Sequence, residues 1–265
     1  MLAVNYVTEM IYQGRAFQLS FLILVGILTY ISYYITKRGK EWTIRPIEAL
    51  DAIDEGVGRA AETGRPILVL PGISGLGSAQ TLAGLTVFGE IAQRAVEIGI
   101  TPYLITSSTD VVTASEAIIR QTLEAVGKPE LYQPGRYIKW YGSGQFVYAV
   151  GAAGHIMQEK PAFVSAIGYF LADVIVTMET ATRVGSLIVG GTTDQSATPL
   201  MAMLSDYLLI GEEMYAASAV LTKDNVAAGT LAAEDLIKVI LLILMVVGCL
   251  AWAVGSRYIY NLMGV

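Results

Sequence analysis

The sequence predicts a three-layered α/β domain with a mostly parallel, Rossmann-like sheet, flanked by one N-terminal and one C-terminal transmembrane helix. Two observations lead to this fold class. Between residues 47 and 221, short apolar runs alternate with helix-length segments, which is typical of successive βαβ units in a parallel sheet. Outside that region stand two charge-free apolar runs, Ala16 to Thr36 and Val239 to Ser256.

Both terminal runs are long enough to cross a membrane. At a rise of about 1.5 Å per residue they match the roughly 30 Å of bilayer hydrocarbon, and neither contains a proline. A basic cluster follows the first run directly, whereas the outer flanks carry only Arg15 and Arg257. The positive-inside bias therefore predicts a two-pass protein of the cell membrane, with its middle domain in the cytoplasm and both termini outside. The basic cluster consists of Lys37, Arg38, Lys40 and Arg45.

The same flanks argue against a cleaved signal peptide, because such a peptide carries its basic residues before a shorter apolar core. Cys249 is the only cysteine, so no internal disulfide can form, in agreement with a reduced compartment. The predicted organisation is an external segment (1–15), a transmembrane helix (16–36), a cytoplasmic α/β domain (37–236), a second transmembrane helix (237–256) and an external tail (257–265).

Composition limits the classes of partner. Hydrophobic residues make up 54% and charged residues 15% of the chain, against about 25% charged in ordinary soluble domains. The formal charge of −6 disfavours nucleic acid, whose phosphates require clustered Lys and Arg. The expected partners are the lipid bilayer and further copies of the chain, with a small-molecule ligand left open.

The elements of the middle domain follow from apolar spacing and from the positions of glycine and proline. A helical stripe over Ile47–Thr63 ends at Gly64, a typical C-cap. Pro66–Pro71 is a short apolar run that suits a strand buried on both faces. The remaining predicted elements are helix 79–98, strand 101–106, a helix from the capping box of Thr113 and Glu116 to Gly127, strand 136–141, helix 145–158, a helix ending at Arg183, strand 186–190, and helical segments 196–205 and 207–221.

Residues 161–180 are apolar enough to suggest a third span. Asp173 and Glu179 interrupt this stretch, and its uninterrupted part of about a dozen residues is short for a bilayer crossing. A buried core element is therefore the prediction, with a third span as the alternative.

The first candidate site is the glycine-rich segment between the first predicted strand and the next helix. Ligands of open parallel sheets bind at such strand ends, and a helix N-terminus offers bare N–H groups to an anion. The segment lacks both the P-loop ending and the GxGxxG order, so a tight turn and close helix packing explain its glycines better. The candidate ligand-binding residues here are Gly72, Ser74, Gly75, Gly77 and Ser78.

A second candidate segment contains Gly191, Thr192 and Thr193, again between a predicted strand and a helix. Helix capping by Thr193 or Asp194 is the simpler interpretation. Parallel topology permits this loop to lie beside the Gly72 loop at one edge of the sheet. The two loops would then form a single cleft for an anionic small molecule.

The third candidate comprises Asp206, Glu212 and Glu213. Asp206 and Glu213 share a helix face if one helix continues through Gly211, and such a pair suits only a hard ion such as Mg²⁺ or Ca²⁺. Salt bridges and helix N-terminal charges explain these acids equally well, so no metal site is assigned. His155 is the only histidine and is predicted to be structural. No complete catalytic set and no cofactor motif is present, and we expect neither a catalytic residue nor a cofactor.

Three segments of the middle domain are distinctive: VGRAAETGRPILVLPG at 57–72, GTTDQS at 191–196 and SDYLLIGEEMYAASA at 205–219. They resemble an uncharacterised prokaryotic membrane-protein family described only as a domain of unknown function. The resemblance covers most of residues 45–235 and implies one coherent domain. It transfers no catalytic residue, because no activity is assigned to that family.

The sequence leaves three functions open. The favoured one is a membrane-anchored, non-enzymatic scaffold that forms homo-oligomers through its α/β domain. The first alternative is an α/β domain that binds an anionic small molecule or nucleotide at the glycine-rich loops. The second is an accessory subunit of a transport or energy-converting complex, which the absence of acids and bases within both spans disfavours.

Overall fold

The computed structural model of the chain describes residues 16–38, 40, 42, 47–222 and 224–254. The chain forms two compact units: Arg45–Lys223 on the one hand, and Met1–Ile44 with Asp224–Val265 on the other. The predicted external segments 1–15 and 257–265 lie outside the described residues, as do Arg15, Arg45 and Arg257.

The secondary structure confirms the predicted α/β fold class. In chain order the elements are α1 (Ala16–Lys37), α2 (Glu48–Thr63), β1 (Ile67–Gly72), α3 (Ala79–Glu97), β2 (Pro102–Thr106), α4 (Thr109–Ala125), a 3₁₀ turn (Pro129–Leu131), β3 (Ile138–Trp140), α5 (Gln145–Glu159), β4 (Phe163–Tyr169), α6 (Asp173–Arg183), β5 (Leu187–Thr192), α7 (Thr198–Leu204), β6 (Tyr207–Ile210), α8 (Glu213–Leu221) and α9 (Asn225–Ala253).

The larger unit is built on one parallel sheet. Its strand order is β3-β2-β1-β4-β5-β6, and every neighbouring pair is parallel. The chain runs outward from β1 to β3 through α3 and α4, and α5 then returns it to β4 beside β1. This is the doubly wound order in which strands β1 and β4 flank the topological switch point, where ligands of such sheets usually bind.

Two apolar cores cover the two faces of this sheet, because successive strand residues point to opposite sides. On β1, Ile67 and Val69 belong to one core and Leu68 and Leu70 to the other, and all four are fully buried. Helices α2, α3, α4 and α8 cover the first face, and α5, α6 and α7 cover the second. Burial on both faces explains why the strands are continuous apolar runs rather than alternating patterns.

Glycine ends α2 as predicted. Gly64 has φ +67°, a left-handed conformation, and its N–H donates to the carbonyl oxygen of Ala60. This conformation carries no Cβ penalty at glycine, so the helix stops where the apolar stripe does.

The predicted capping box of Thr113 and Glu116 is wrong. Helix α4 begins at Thr109, and the Thr113 hydroxyl donates back to the Thr109 carbonyl inside the helix. The Glu116 carboxylate instead accepts hydrogen bonds from the Tyr132 hydroxyl at 2.9 Å and from the Gly135 N–H at 3.0 Å. Glu116 thus forms hydrogen bonds with the loop after the helix and does not cap the start of the helix.

The helical segment predicted at 207–221 is also wrong in its first part. Residues Tyr207–Ile210 form strand β6, which pairs with β5, and a turn at Gly211 with φ +60° separates it from α8. Asp206 and Glu213 therefore do not share a helix face. The stretch 161–180 is confirmed as core, since it contains β4 and most of α6.

The smaller unit contains α1 and α9. Both helices are long and apolar enough, by length and composition, to cross a membrane: Gln18–Lys37 has 20 residues and Asn225–Ala253 has 29. They approach each other closely at Gly229, whose carbonyl oxygen accepts a hydrogen bond from the buried Ser32 hydroxyl at 2.5 Å. Small and hydroxylated residues are the usual contacts between helices in membranes. Asp224 caps α9 by accepting from the N–H groups of Val226 and Ala227.

Candidate functional site

The two predicted loops meet at the carboxyl edge of the sheet. The loop after β1 leads into α3, and Gln80 is the second residue of that helix. Its Oε1 atom accepts hydrogen bonds from the Thr192 hydroxyl and from the Thr193 N–H, both at 3.1 Å. Gln80 therefore links the start of α3 to the end of β5. Nothing in the local sequence singles this residue out.

Gly72 has a structural reason to be glycine. It is the last residue of β1, it has φ +87°, and a Cβ at this position would overlap the Tyr169 carbonyl oxygen of β4. The β1–β4 register shifts between Leu70 and Gly72, and the next N–H, that of Ile73, donates to Tyr169 O at 2.9 Å. The main chains of both strands are thus in direct contact at the switch point.

The segment around Gly75 is held by a carboxylate of this chain. Asp110 Oδ2 accepts the Leu76 N–H at 2.8 Å, and Asp110 Oδ1 accepts the Ser108 hydroxyl and the Val111 N–H. A Cβ at Gly75 would lie 2.8 Å from Asp110 Oδ2. Asp110 therefore bonds to a loop N–H of the kind that an anionic ligand would use.

The other predicted residues of this loop make fewer contacts. Gly77 is exposed, and no atom lies within 4 Å of a Cβ built there. Ser78 is the N-cap residue of α3, but its side chain makes no capping hydrogen bond. Ser74 is half-buried. Of the five predicted residues in this loop, Gly72 and Gly75 are thus the two with close packing.

The β5 loop is closed in the same way as the β1 loop. Asp194 Oδ1 accepts the N–H groups of Ser196 and Ala197 and the Ser196 hydroxyl. Gly191 is buried within β5, where a Cβ would lie 3.2 Å from Ile167 and from Leu209. Thr192 is fully buried and its hydroxyl also accepts the Asp194 N–H.

These hydrogen bonds stabilise negative charge at the carboxyl edge of the sheet. Hydrogen bonds from Ser108 and Leu76 lower the pKa of Asp110, and hydrogen bonds from Ser196 lower that of Asp194, so both are ionised at neutral pH. The six loops that follow the strands are all described, and they contain no Lys, Arg or His. An incoming phosphate would meet negative charge without a compensating cation.

A buried polar group lies at the end of β4. Asp173 and Tyr148 are both fully buried, and neither Asp173 Oδ2 nor the Tyr148 hydroxyl has a hydrogen-bond partner among the described residues. Asp173 Oδ1 accepts the Leu171 N–H at 2.8 Å and the Gln145 side-chain amide at 3.1 Å. Burial raises the pKa of Asp173 despite these two bonds, and burial with the nearby Asp173 charge raises that of Tyr148.

This arrangement predicts a pH-dependent gain in stability for D173N. Asparagine keeps the acceptor oxygen but not the charge. Because the folded-state pKa is raised, the wild type loses stability as pH rises from the unfolded value of about 3.9 through the folded value. We expect D173N to melt about 2–4 °C above the wild type at pH 8, the shift that about 1 kcal/mol produces in a unit of this size. Thermal melts followed by circular dichroism between pH 4 and 8 measure this difference.

D194N is the matched control, and its expected effect on the melting temperature has the opposite sign. The lowered pKa of Asp194 means that ionisation stabilises the fold above the unfolded pKa, and that this contribution is lost as pH falls. D194N should therefore melt below the wild type at pH 8, and melts extended to pH 2 should show the gap closing only below the unfolded pKa of about 3.9. A D173N gap that is constant with pH would show that Asp173 does not ionise at a cost to the fold.

His155 lies in α5 and is buried, as expected of a structural histidine. Only one of its two ring nitrogens has a hydrogen-bond partner among the described residues. Nδ1 lies 3.1 Å from the Tyr141 hydroxyl, whereas Nε2 has no partner within the described residues. The Tyr103 ring packs edge-on at 4.7 Å between centroids. Burial lowers the pKa of His155, so the ring is neutral at physiological pH.

Two of the three residues of the third predicted site, Asp206 and Glu213, line a cavity beside the edge strand β6, whereas Glu212 is the N-cap residue of α8. This cavity of about 530 Å³ is lined in part by Glu48, Asp206 and Glu213. Asp206 Oδ2 accepts the Ile188 N–H at 2.8 Å, and Glu213 accepts the Ile210 N–H at 3.3 Å. No group of three His, Cys, Asp or Glu side chains among the described residues is placed to hold a metal ion.

A family model matches residues 7–263, which takes in both apolar helices and the whole α/β unit. The chain belongs to this family, DUF6754, a domain of unknown function. No curated protein and no solved structure matches the chain. Family membership thus extends the predicted resemblance from residues 45–235 to nearly the full length and assigns no activity.

The sequence did not indicate three residues that form hydrogen bonds at this edge: Gln80, Asp110 and Asp173. Each follows a strand by a few residues, as ligand-binding residues do in parallel sheets. The Ser-Ser-Thr-Asp string at 107–110 was the available signal, because such residues bond readily to nearby main-chain groups in turns. The hydrogen bond from the Leu76 N–H to Asp110, however, depends on the order of the strands.

Proposed function

We propose that this chain is a membrane-anchored, non-enzymatic scaffold that assembles into homo-oligomers through its α/β unit. The observation that carries this proposal is the exposed apolar surface of that unit, centred on α5. Phe146, Val150 and Met157 are 67%, 66% and 55% exposed, and with Val147 they make four large exposed apolar residues on α5. Among the described helices of the unit, α3, α6, α7 and α8 expose one such residue each: Leu82, Ile175, Met203 and Val220. Extended exposed apolar surface usually marks a site of association.

The two apolar helices support the membrane anchor. Each has the length and composition to cross a bilayer, and the family match includes both. Lys37 and Arg38 lie at the end of α1 and Lys40 follows, so the positive-inside bias favours a cytoplasmic α/β unit and external termini. Anchoring at two points confines the units to a plane, where weak contacts suffice for assembly.

The strand-end loops support a non-enzymatic role. Their N–H groups bond to Asp110, Asp173 and Asp194, and the loops carry no cation that would attract an anionic ligand. Binding of an anionic small molecule or nucleotide stays a prediction, and it is the less favoured one. A role in a transport complex is the least favoured, because the apolar runs contain no acid or base for an ion path.

The test of the scaffold is the mass of the full chain in mild detergent. Light scattering over a range of concentrations should give a protein mass that is a multiple of the 28.4 kDa protomer. A single-protomer particle at every concentration, also after chemical cross-linking in membranes, would contradict assembly.

The membrane topology has a separate test. In a Cys249→Ala background, an impermeant thiol reagent should label single cysteines at Val4 or Leu262 in intact cells and should not label one at Glu130, an exposed residue of the α/β unit. Labelling only at position 130 would reverse the orientation.

A further inference from the structure

We infer that the outer face of α5 is the contact between two copies of this chain, related by a two-fold axis that passes near Val150. The inference rests on the proposed homo-oligomeric function and names its surface. The α5 face is defined here by its exposed apolar residues and by the two aromatic residues that precede the helix. These are Trp140, Tyr141, Phe146, Val147, Val150 and Met157.

The helical spacing makes this face continuous. Phe146, Val150, Gly154 and Met157 follow one another at intervals of four, four and three residues, so they line one side of the helix. The opposite side of the same helix is buried through Tyr148, Ala152 and Ile156. The stripe is therefore apolar surface beyond what α5 needs for its own domain.

The composition of the face fits a protein partner. No acidic, Lys or Arg residue occurs between Trp140 and Gln158, while the α5 face presents three aromatic residues and one methionine. Interface cores are depleted in charge and enriched in Trp, Tyr, Phe and Met. A helix that binds a lipid surface usually carries Lys and Arg beside its apolar face, and α5 has none.

The absence of charge also favours a second copy as the partner. In a two-fold contact the same patch faces itself, so any charge within it would meet its own like charge. The α5 face avoids that repulsion without needing a complementary surface elsewhere.

The exposed apolar area of the α5 face is sufficient for an interface between two copies of the chain. These residues are 39% to 67% exposed, which corresponds to about 600 Å² per protomer at ordinary side-chain areas. Two such faces would bury about 1,200 Å², the lower end of specific interfaces. Confinement in a membrane lowers the affinity that such a contact has to supply.

The face is also held in a fixed shape. Trp140 Nε1 donates to the Ser107 carbonyl at 3.0 Å, and the Tyr141 hydroxyl lies 3.1 Å from His155 Nδ1. Tyr141 covers Gly151, where a Cβ would overlap its side chain. Rigid aromatic groups lose little conformational entropy on binding. At Gly154 no atom lies within 4 Å of a built Cβ, so a partner helix can approach closely there.

The experiment compares V150E and V150K with L82E in the full chain in mild detergent. Leu82 is a matched control, an exposed apolar residue (49%) on α3, which covers the opposite face of the sheet. Either substitution at Val150 should weaken association about 10-fold or more, because two like charges would face each other. L82E should associate like the wild type. Co-expressed V150E and V150K chains should associate again, since opposite charges then meet across the axis.

Disulfide trapping keeps the test decisive if a charged variant folds poorly. In a Cys249→Ala background, V150C chains should cross-link to dimers in membranes under mild oxidation, and L82C chains should not. A monomeric wild type would overturn both the assembly and this surface. An oligomeric wild type whose mass is unchanged by V150E, with no V150C cross-link, would overturn this surface alone and leave the scaffold proposal standing. The latter result is the one expected if lipid or another protein covers α5.

Discussion

Replacing Gly84 with alanine is expected to lower the free energy of unfolding of the α/β unit by about 4 kcal/mol or more. Gly84 lies in α3, and a Cβ there would overlap the Ile167 carbonyl oxygen and lie 3.3 Å from Pro71 Cα. Both neighbours are main-chain atoms of the central strands β1 and β4. No side-chain rotation can relieve the overlap, so the helix would have to move away from the switch point.

The matched control is G89A, in the same helix. A Cβ at Gly89 would meet only Ile118 Cγ2, at an ordinary contact distance of 3.6 Å. Alanine favours a helix over glycine by about 0.5–1 kcal/mol, so G89A should be as stable as the wild type or slightly more so. Urea midpoints of the purified full chain, followed by circular dichroism, compare the two variants. Equal midpoints for G84A and G89A would show that α3 can shift without cost.

The contrast between these glycines also bears on the candidate ligand site. The close approach of α3 to β1 and β4 requires a glycine at position 84, because a side chain there would meet main-chain atoms of both strands. Gly72 and Gly84 both permit close main-chain contacts at the switch point, in agreement with the packing role that the sequence favoured for Gly72. Ligand binding at Gly72–Ser78 stays a prediction.

The strands and most helices were predictable because their signals are local. The β1 run Ile67–Leu70 is apolar throughout, which only a strand covered on both faces tolerates. Gly64 and Gly99 end α2 and the turn after α3 in left-handed conformations that glycine adopts without strain. Such features depend on a few neighbouring residues.

Strand β6 was missed because its identity depends on partners far away. Tyr207–Ile210 has only four residues and follows the short helix α7, so its local pattern resembles a helix. Pairing with β5 across the sheet decides its conformation. Local propensity is a weak guide where tertiary contacts override it.

The contacts of the candidate site were unpredictable for the same reason. Asp110 and Leu76 are 34 residues apart, and Gln80 and Thr192 are 112 apart. These bonds exist only because the strand order places β2 and β5 on either side of β1 and β4. Residue types after a strand show that an edge will be polar. They do not show whether its groups bind a ligand or one another.

Replacing Arg65 with alanine should cost about 2–4 kcal/mol of stability. Arg65 precedes β1, and its guanidinium donates to three main-chain carbonyls: Lys160 at 2.6 Å, and Pro161 and Val184 at 2.9 Å. Lys160 and Val184 are the C-cap residues of α5 and α6. One cation thus satisfies the ends of two helices, where positive charge is favourable, and ties both to the start of the sheet.

Arg59 provides the control for the loss of an arginine as such. It forms an exposed pair with Glu55 one turn earlier in α2, at 2.9 Å, and such pairs contribute about 0.3–0.5 kcal/mol. R59A should therefore barely move the urea midpoint, while R65A lowers it clearly. R65K should fall between, because lysine keeps the charge but cannot reach three carbonyls with a planar fork. If R65A and R59A unfold at the same urea concentration, water replaces the guanidinium without loss, and the two helix ends hold their places through apolar packing alone.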